Sequence, residues 1–173
     1  MDRLAAAADR LECMELVTRV ARAIDRCDAA LLASLFTADA TDDHGMFEGS
    51  ATDFVAWVMP VLATMKRTQH VIGQVLVELD GDRAAGEAYF IAHHTLDGPD
   101  GKIFMIAAGR YLDRFERVGE TWKIAHRHAV YDWNSAAPST DSWDRDGGMA
   151  GWAFGVRGTG DASYAHLAGH APV

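Results

Sequence analysis

The sequence predicts an α+β fold in which helices cover one face of an antiparallel sheet. Two observations carry that prediction. Apolar residues recur every three or four positions as far as about residue 66 and every second position after it, and Asp–Gly turn signals crowd into the second half. Helices followed by strands, rather than an alternation of the two, imply segregated layers.

Arg3 to Arg26 reads as a helix, because Leu11, Met14, Leu16, Val17, Val20, Ala21 and Ile24 form an apolar stripe opposite Arg and Glu. Asp28 is placed to cap a short second helix carrying Leu31, Leu32, Leu35 and Phe36. A strand is expected from Thr41 to Phe47, ended by Gly49. Ser50 and Asp53 stand in capping-box positions and open a third helix with Phe54, Trp57, Val58, Val61 and Met65. Pro60 predicts a kink or an early stop there, since its ring removes a backbone donor and crowds the preceding turn. Asp80-Gly81, Asp97-Gly98, Asp100-Gly101 and Gly119 then divide four strand runs, 70–79, 83–96, 102–117 and 120–133, joined as hairpins. Beyond Asn134 no period is visible. Trp143, Trp152, Phe154 and Tyr164 still predict an ordered extension over a neighbour or a pocket mouth, because disordered tails seldom hold so many large aromatics. Residues 1–133 are thus expected to form the domain and 134–173 an irregular extension of it.

At 173 residues the chain suffices for one domain with a real core. A formal net charge of −9 argues against nucleic acid or an anionic membrane as the main partner, since both reward clustered Lys and Arg. Cys13 and Cys27 would stand about 21 Å apart along the first helix, too far for a disulfide, and read as packing residues of a reducing compartment. The opening residues lack a signal-peptide pattern, and no apolar run approaches the ~18 residues of a membrane span. A cytoplasmic protein is expected.

Chemistry concentrates on two residues. His70 starts the first long strand, in Thr68-Gln69-His70-Val71-Ile72-Gly73, and Asp25 ends the stripe of the first helix. Alone, Asp25 reads as a solvated helix-end acid and His70 as a core histidine. Together they make a general base: an imidazole of ordinary pKa ~6.5 takes a proton near neutral pH, while a carboxylate fixes its tautomer and stabilises its charge.

Strand alternation supplies a container. Gly86, Ala88, Phe90, Ala92 and His94 share one face, as do Met105, Ala107, Gly109 and Tyr111 of the next strand. Small residues at mid-strand leave room either for a closely packed helix or for a ligand cavity, lined from the first strand by His70, Ile72 and Gln74. Parity puts His94 inside and His93 outside. Tyr111 is a candidate donor to a substrate oxygen, or a buried tyrosine satisfied by backbone. Trp57, with Phe54, reads first as core and second as a substrate contact. His44 is a candidate pocket residue; Asp42 and Asp43 beside it read as strand-edge charges. Arg127 is a candidate pocket cation or an exposed sheet charge. His126 and His128 flank it at strand spacing, but no carboxylate follows at ligand spacing, so no metal is expected.

These residues carry a resemblance. The helices, the Thr68–Gly73 segment with Asp25 upstream, and the last strand's Gly119-Glu120-Thr121-Trp122-Lys123-Ile124 resemble the SnoaL-like branch of the nuclear transport factor 2-like superfamily, over residues 8 to 133. Within it the pattern is similar to scytalone dehydratase, bile-acid 7α-dehydratase and hexachlorocyclohexane dehydrochlorinase. The resemblance implies a cone-shaped α+β barrel, a curved antiparallel sheet with three N-terminal helices packed on it, enclosing a deep apolar pocket. It implies a homo-oligomer, dimer or trimer, and an Asp–His dyad at Asp25 and His70 that works without metal or organic cofactor. It also implies a second pocket histidine at His94, a water-orienting position near His44 and a pocket arginine at Arg127. The chain departs from those relatives at Ile24 and Val20, where they carry tyrosines, and at Gly109 and Tyr111, where serine and asparagine grip the scytalone ring.

The expected function is a cofactor-independent lyase. His70, oriented by Asp25, would take a proton from a small aromatic or polycyclic substrate, with His94 or Tyr111 polarising an oxygen or protonating the departing group. Dehydration is one form, and a related fragmentation such as loss of formaldehyde another. The alternatives are a non-catalytic module binding a small molecule or a partner, and an isomerase or cyclase using the same base.

Overall fold

A computed structural model describes residues 2–168. Helix α1 spans Arg3–Arg26 and is capped by Asp2, which accepts from the Leu4 N–H at 3.3 Å. Its buried stripe is Cys13, Leu16, Val17, Val20, Ala21, Ala23 and Ile24. Cys27 then adopts a left-handed conformation (φ 51°), which stops the helix and leaves Asp25 in its last turn. Asp28 caps α2 (Ala29–Ser34) by accepting from the Leu31 N–H at 2.9 Å.

Strand β1 runs Phe36–Asp43, so the expected strand from Thr41 to Phe47 begins earlier and ends sooner. Residues 44–47 form a tight reverse turn: Gly45 sits at φ 72° and His44 donates its N–H to Phe47 O at 2.8 Å. The short strand β2, Glu48–Ser50, returns along β1. Ser50 caps α3 (Ala51–Thr64), accepting from the Asp53 N–H at 3.1 Å. Pro60 does not stop this helix. Pro60 and Ala56 are both exposed, so the carbonyl that the proline leaves without a helical donor lies on the solvent side.

Four long strands follow: β3 (Arg67–Asp80), β4 (Arg83–Gly98), β5 (Gly101–Val118) and β6 (Thr121–Pro138). Consecutive strands pair antiparallel through two-residue turns, as the pairs Asp80–Arg83, Gly98–Gly101 and Val118–Thr121 show. The sheet order is β2-β1-β6-β5-β4-β3, with β1 parallel to β6. The sheet is therefore mixed rather than wholly antiparallel. Its outer strands, β2 and β3, do not pair, so the strands form an open sheet rather than a closed barrel.

Two irregularities reposition side chains. The register shifts between Ile72 and Val75, which flips the parity of β3: Val77 is buried while Gln74 is exposed. A second shift places Ala108 opposite Trp133 but Gly109 opposite Tyr131, leaving Asp132 as the extra residue. A Cβ at Gly109 would stand 2.0 Å from Val130 O, so this bulge requires glycine. The missing side chain also lets the Phe90 and Tyr131 rings meet edge to face at 6.0 Å.

The core lies between the helices and the sheet. Trp122, Ile124, Phe115, Leu32 and Phe54 are almost wholly buried there, each contributing ~1.5–3 kcal/mol by leaving water. Trp122 also anchors α1: its indole N–H donates to Asp9 at 3.1 Å and its backbone N–H to Glu12 at 2.8 Å. Beyond β6 the chain is largely irregular to Asp161 and ends in α4 (Ala162–Ala168). This tail returns to the C-terminal end of α1. Asp161 accepts from Arg26 at 2.8 Å, Tyr164 donates to Asp28 at 2.6 Å, and Arg22 stacks 4.5 Å over the Tyr164 ring. Among the described residues no helix is long and apolar enough to cross a membrane.

Candidate active site

Helix α1 and strand β3 bring Asp25 and His70 together. The His70 backbone N–H donates to Asp25 Oδ2 at 2.8 Å, and its Nδ1 lies 2.8 Å from Oδ1. The side chains are 11% and 7% exposed, so water competes little for this pair. Burial alone would raise the Asp25 pKa, but the hydrogen bond and charge of His70, with its backbone N–H, outweigh burial and hold the carboxyl below its ordinary value. An ionised Asp25 fixes the hydrogen on Nδ1 and leaves Nε2 as the basic nitrogen.

His94 stands on β4 with its ring edge to face with His70 at 5.7 Å between centroids. Its Nδ1 is buried and has no hydrogen-bond partner among the described residues. Burial first, and then the charge of His70, push its pKa down from 6.5 to about 4. His94 is thus a neutral imidazole at neutral pH. Unfolding frees it to bind a proton, so its contribution to stability is present above pH 6.5 and is lost as pH falls toward about 4. His94→Gln is expected to flatten that part of the pH profile, measured as the urea midpoint across the window.

Both rings face a cavity of about 590 Å³ between α3 and the sheet. Ala92, Ala107, Phe90, Met105 and Tyr111 form its sheet side, while Phe54, Trp57, Val58 and Val61 roof it. The small residues at mid-strand accommodate this space. Trp57 lines it and also packs on Phe47, with centroids 5.4 Å apart. Tyr111 lines it too, stacked on Phe90 at 4.3 Å, and burial raises its pKa so that it stays a neutral phenol. His44, on the turn after β1, completes the wall, stacked on Phe54 at 4.7 Å.

Other expected lining residues lie elsewhere. Ile72 packs toward α1, and Gln74, which lies at the β3 bulge, faces solvent. Arg127 does not reach the cavity. It lies beneath Tyr111, its guanidinium 4.1 Å from that ring, and forms two 2.7 Å hydrogen bonds with Asp113. Asp42 is not a strand-edge charge but is buried at 1% exposure. His126 and His128 point away from Arg127's face, bonded to Thr41 and Asp43 at 2.7 Å each, and no cluster among the described residues could hold a metal ion.

Tyr131, Trp133 and Asn134 also line the cavity, though alternation would put Asn134 on the face opposite Tyr131 and Trp133. The Asp132 bulge turns this strand end inward. The one signal available was the aromatic pair flanking an acid just before the strand run fades.

Helices stacked on one face of a mixed six-stranded sheet, with a cavity between the layers, define an α+β protein with a site between its layers. The chain belongs to the SnoaL-like domain family, whose profile matches residues 5–128. An uncharacterized protein of Mycobacterium tuberculosis is 28% identical over 123 residues, covering 69% of this chain and 83% of that relative. Among solved structures, a hexachlorocyclohexane dehydrochlorinase superposes with a TM-score of 0.73 at 19% identity, covering 84% of this chain and 99% of its own. A scytalone dehydratase-like protein from Novosphingobium aromaticivorans gives 0.67 at 17%, covering 80% and 97%. A protein of unknown function from Mycobacterium tuberculosis gives 0.64 at 23%, and its 98% coverage of this chain takes in the tail as well.

Proposed function

We propose that this protein is a lyase that eliminates a small group from an aromatic or polycyclic substrate, with His70 as general base and Asp25 as the residue that orients it. The observation that carries this reading is the buried Asp25–His70 pair opening onto an apolar cavity. A cavity of about 590 Å³ matches the ~300–1,000 Å³ of small-molecule sites, and its rings, Phe54, Trp57 and Trp133, suit an aromatic guest. Support also comes from the structural neighbours named for eliminations, a dehydrochlorinase and a scytalone dehydratase-like protein.

His70 Nε2 takes a proton from a carbon made acidic by a neighbouring carbonyl or phenol. Tyr111 or His94, as neutral hydrogen-bond donors, polarise that oxygen. Loss of water is the first elimination to expect, and loss of formaldehyde runs from the same base.

The test uses a β-hydroxy ketone bearing an aryl group, in deuterated water. Wild-type protein should place deuterium on the carbon beside the carbonyl, and Asp25→Asn should lose that exchange while keeping its fold by circular dichroism. A module that merely binds the same compound would give saturable binding with no exchange in either protein.

A further inference from the structure

We propose that His44, held by Asp42, is a second proton-transfer group of this cavity and hands a proton to the departing group, a role that rests on the elimination reading above. Asp42 is 1% exposed, and its Oδ1 engages His44 Nδ1. The imidazole is fixed in two further ways: its ring stacks on Phe54, and its backbone closes the turn to Phe47. Nδ1 is taken by the carboxylate, which leaves Nε2 for whatever occupies the cavity that the ring lines.

The surroundings join this pair to a buried row of charged side chains. Asp42 stands opposite Arg127 in the β1–β6 register, and Arg127 is bound to Asp113. Asp42 Oδ2 and Arg127 Nη1 are both buried without a hydrogen-bond partner among the described residues. Two carboxylates and one guanidinium are therefore buried in one row of formal charge minus one, and His44 stands at its cavity end. The two pairs also enter from opposite ends of the sheet, His70 on the edge strand β3 and His44 on the turn that joins β1 to β2.

The step is a concerted or stepwise elimination. His70 takes the proton, the C–H electron pair becomes the new π bond, and the C–O bond breaks with its pair going to oxygen. That oxygen takes the Nε2 proton of the His44 imidazolium and leaves as water. His70 ends protonated and His44 neutral, and exchange with solvent resets both.

Leaving-group dependence isolates this role, since chloride departs without a proton. The probes are the aryl β-hydroxy ketone and its β-chloro analogue. His44→Gln is expected to lose ~10²–10⁴-fold in turnover of the hydroxy compound, to lose less than tenfold with the chloro compound, and to keep deuterium exchange. His44→Asn should reproduce that split. Asp42→Asn, a positioning change, should remove the low-field N–H proton resonance of His44 and lower turnover of the hydroxy compound alone. Equal losses on both probes, or none on either, would overturn the assignment and leave His44 as wall. Absence of exchange and turnover in the wild-type protein would overturn the base reading with it.

Discussion

Arg127→Met is expected to destabilise the fold by about 3–5 kcal/mol, the usual cost of stranding one half of a buried ion pair. Arg127 and Asp113 are each 1% exposed and share two hydrogen bonds, so removing the guanidinium leaves a carboxylate that neither water nor another cation reaches. Asp42, facing Arg127 across the β1–β6 ladder, would lose the buried guanidinium opposite it as well. The double variant Arg127→Met with Asp113→Leu should recover most of the loss, because an apolar pair fills similar volume without desolvating charge. Urea midpoints of the two variants check both statements. A double variant as unstable as the single would show that the row serves Asp42 more than Asp113.

His70→Ala should lower turnover of the aryl β-hydroxy ketone by ~10²–10⁴-fold, the range supplied by a positioned general base. Stability should change far less. Asp25 keeps the hydrogen bond to its Oδ2 in this variant, because that donor is the residue's backbone N–H and not its ring. The truncated side chain also opens the cavity wall at the point where the base stood, so free imidazole should restore part of the activity. Steady-state kinetics with and without imidazole decide the matter, and a folded variant with undiminished turnover would remove His70 from the chemistry.

Local pattern made much of the architecture legible. The stripe from Leu11 to Ile24 and the cap at Asp28 fix α1 and the start of α2 within the chain itself. Asp80-Gly81 and Gly119 fix two of the hairpins in the same way. What escaped depends on partners distant in sequence. The sequence points to a strand shifted toward Phe47, because β1 pairs with β6, more than eighty residues on, and such a ladder leaves no periodic trace. Alternation puts Gln74 inside because it assumes an uninterrupted strand, and one extra residue reverses every later side chain. Asp42 reads as a strand-edge charge, and Arg127 as a pocket cation or an exposed sheet charge, because composition cannot register mutual burial.

The candidate site divides along the same line. His70 was visible from its place at a strand start and His94 from parity, whereas the orientation of His44 came from a turn whose closure no periodic signal announces. Asp25 lay at the end of a stripe, where a solvated acid is the commoner occupant. Only the docking of α1 on β3 decides between the two environments.

That docking has a consequence for how the molecule would behave under load. The residue after Asp25 is Arg26, which is clasped by Asp161, and Arg26 O accepts from the Gly158 N–H. A fusion partner, a protease or a neighbouring copy that tugs on this strap would therefore pull within one peptide unit of the carboxylate. On the proposed reading, the base would lose its orienting carboxylate from a distance while the scaffold beneath it stood intact.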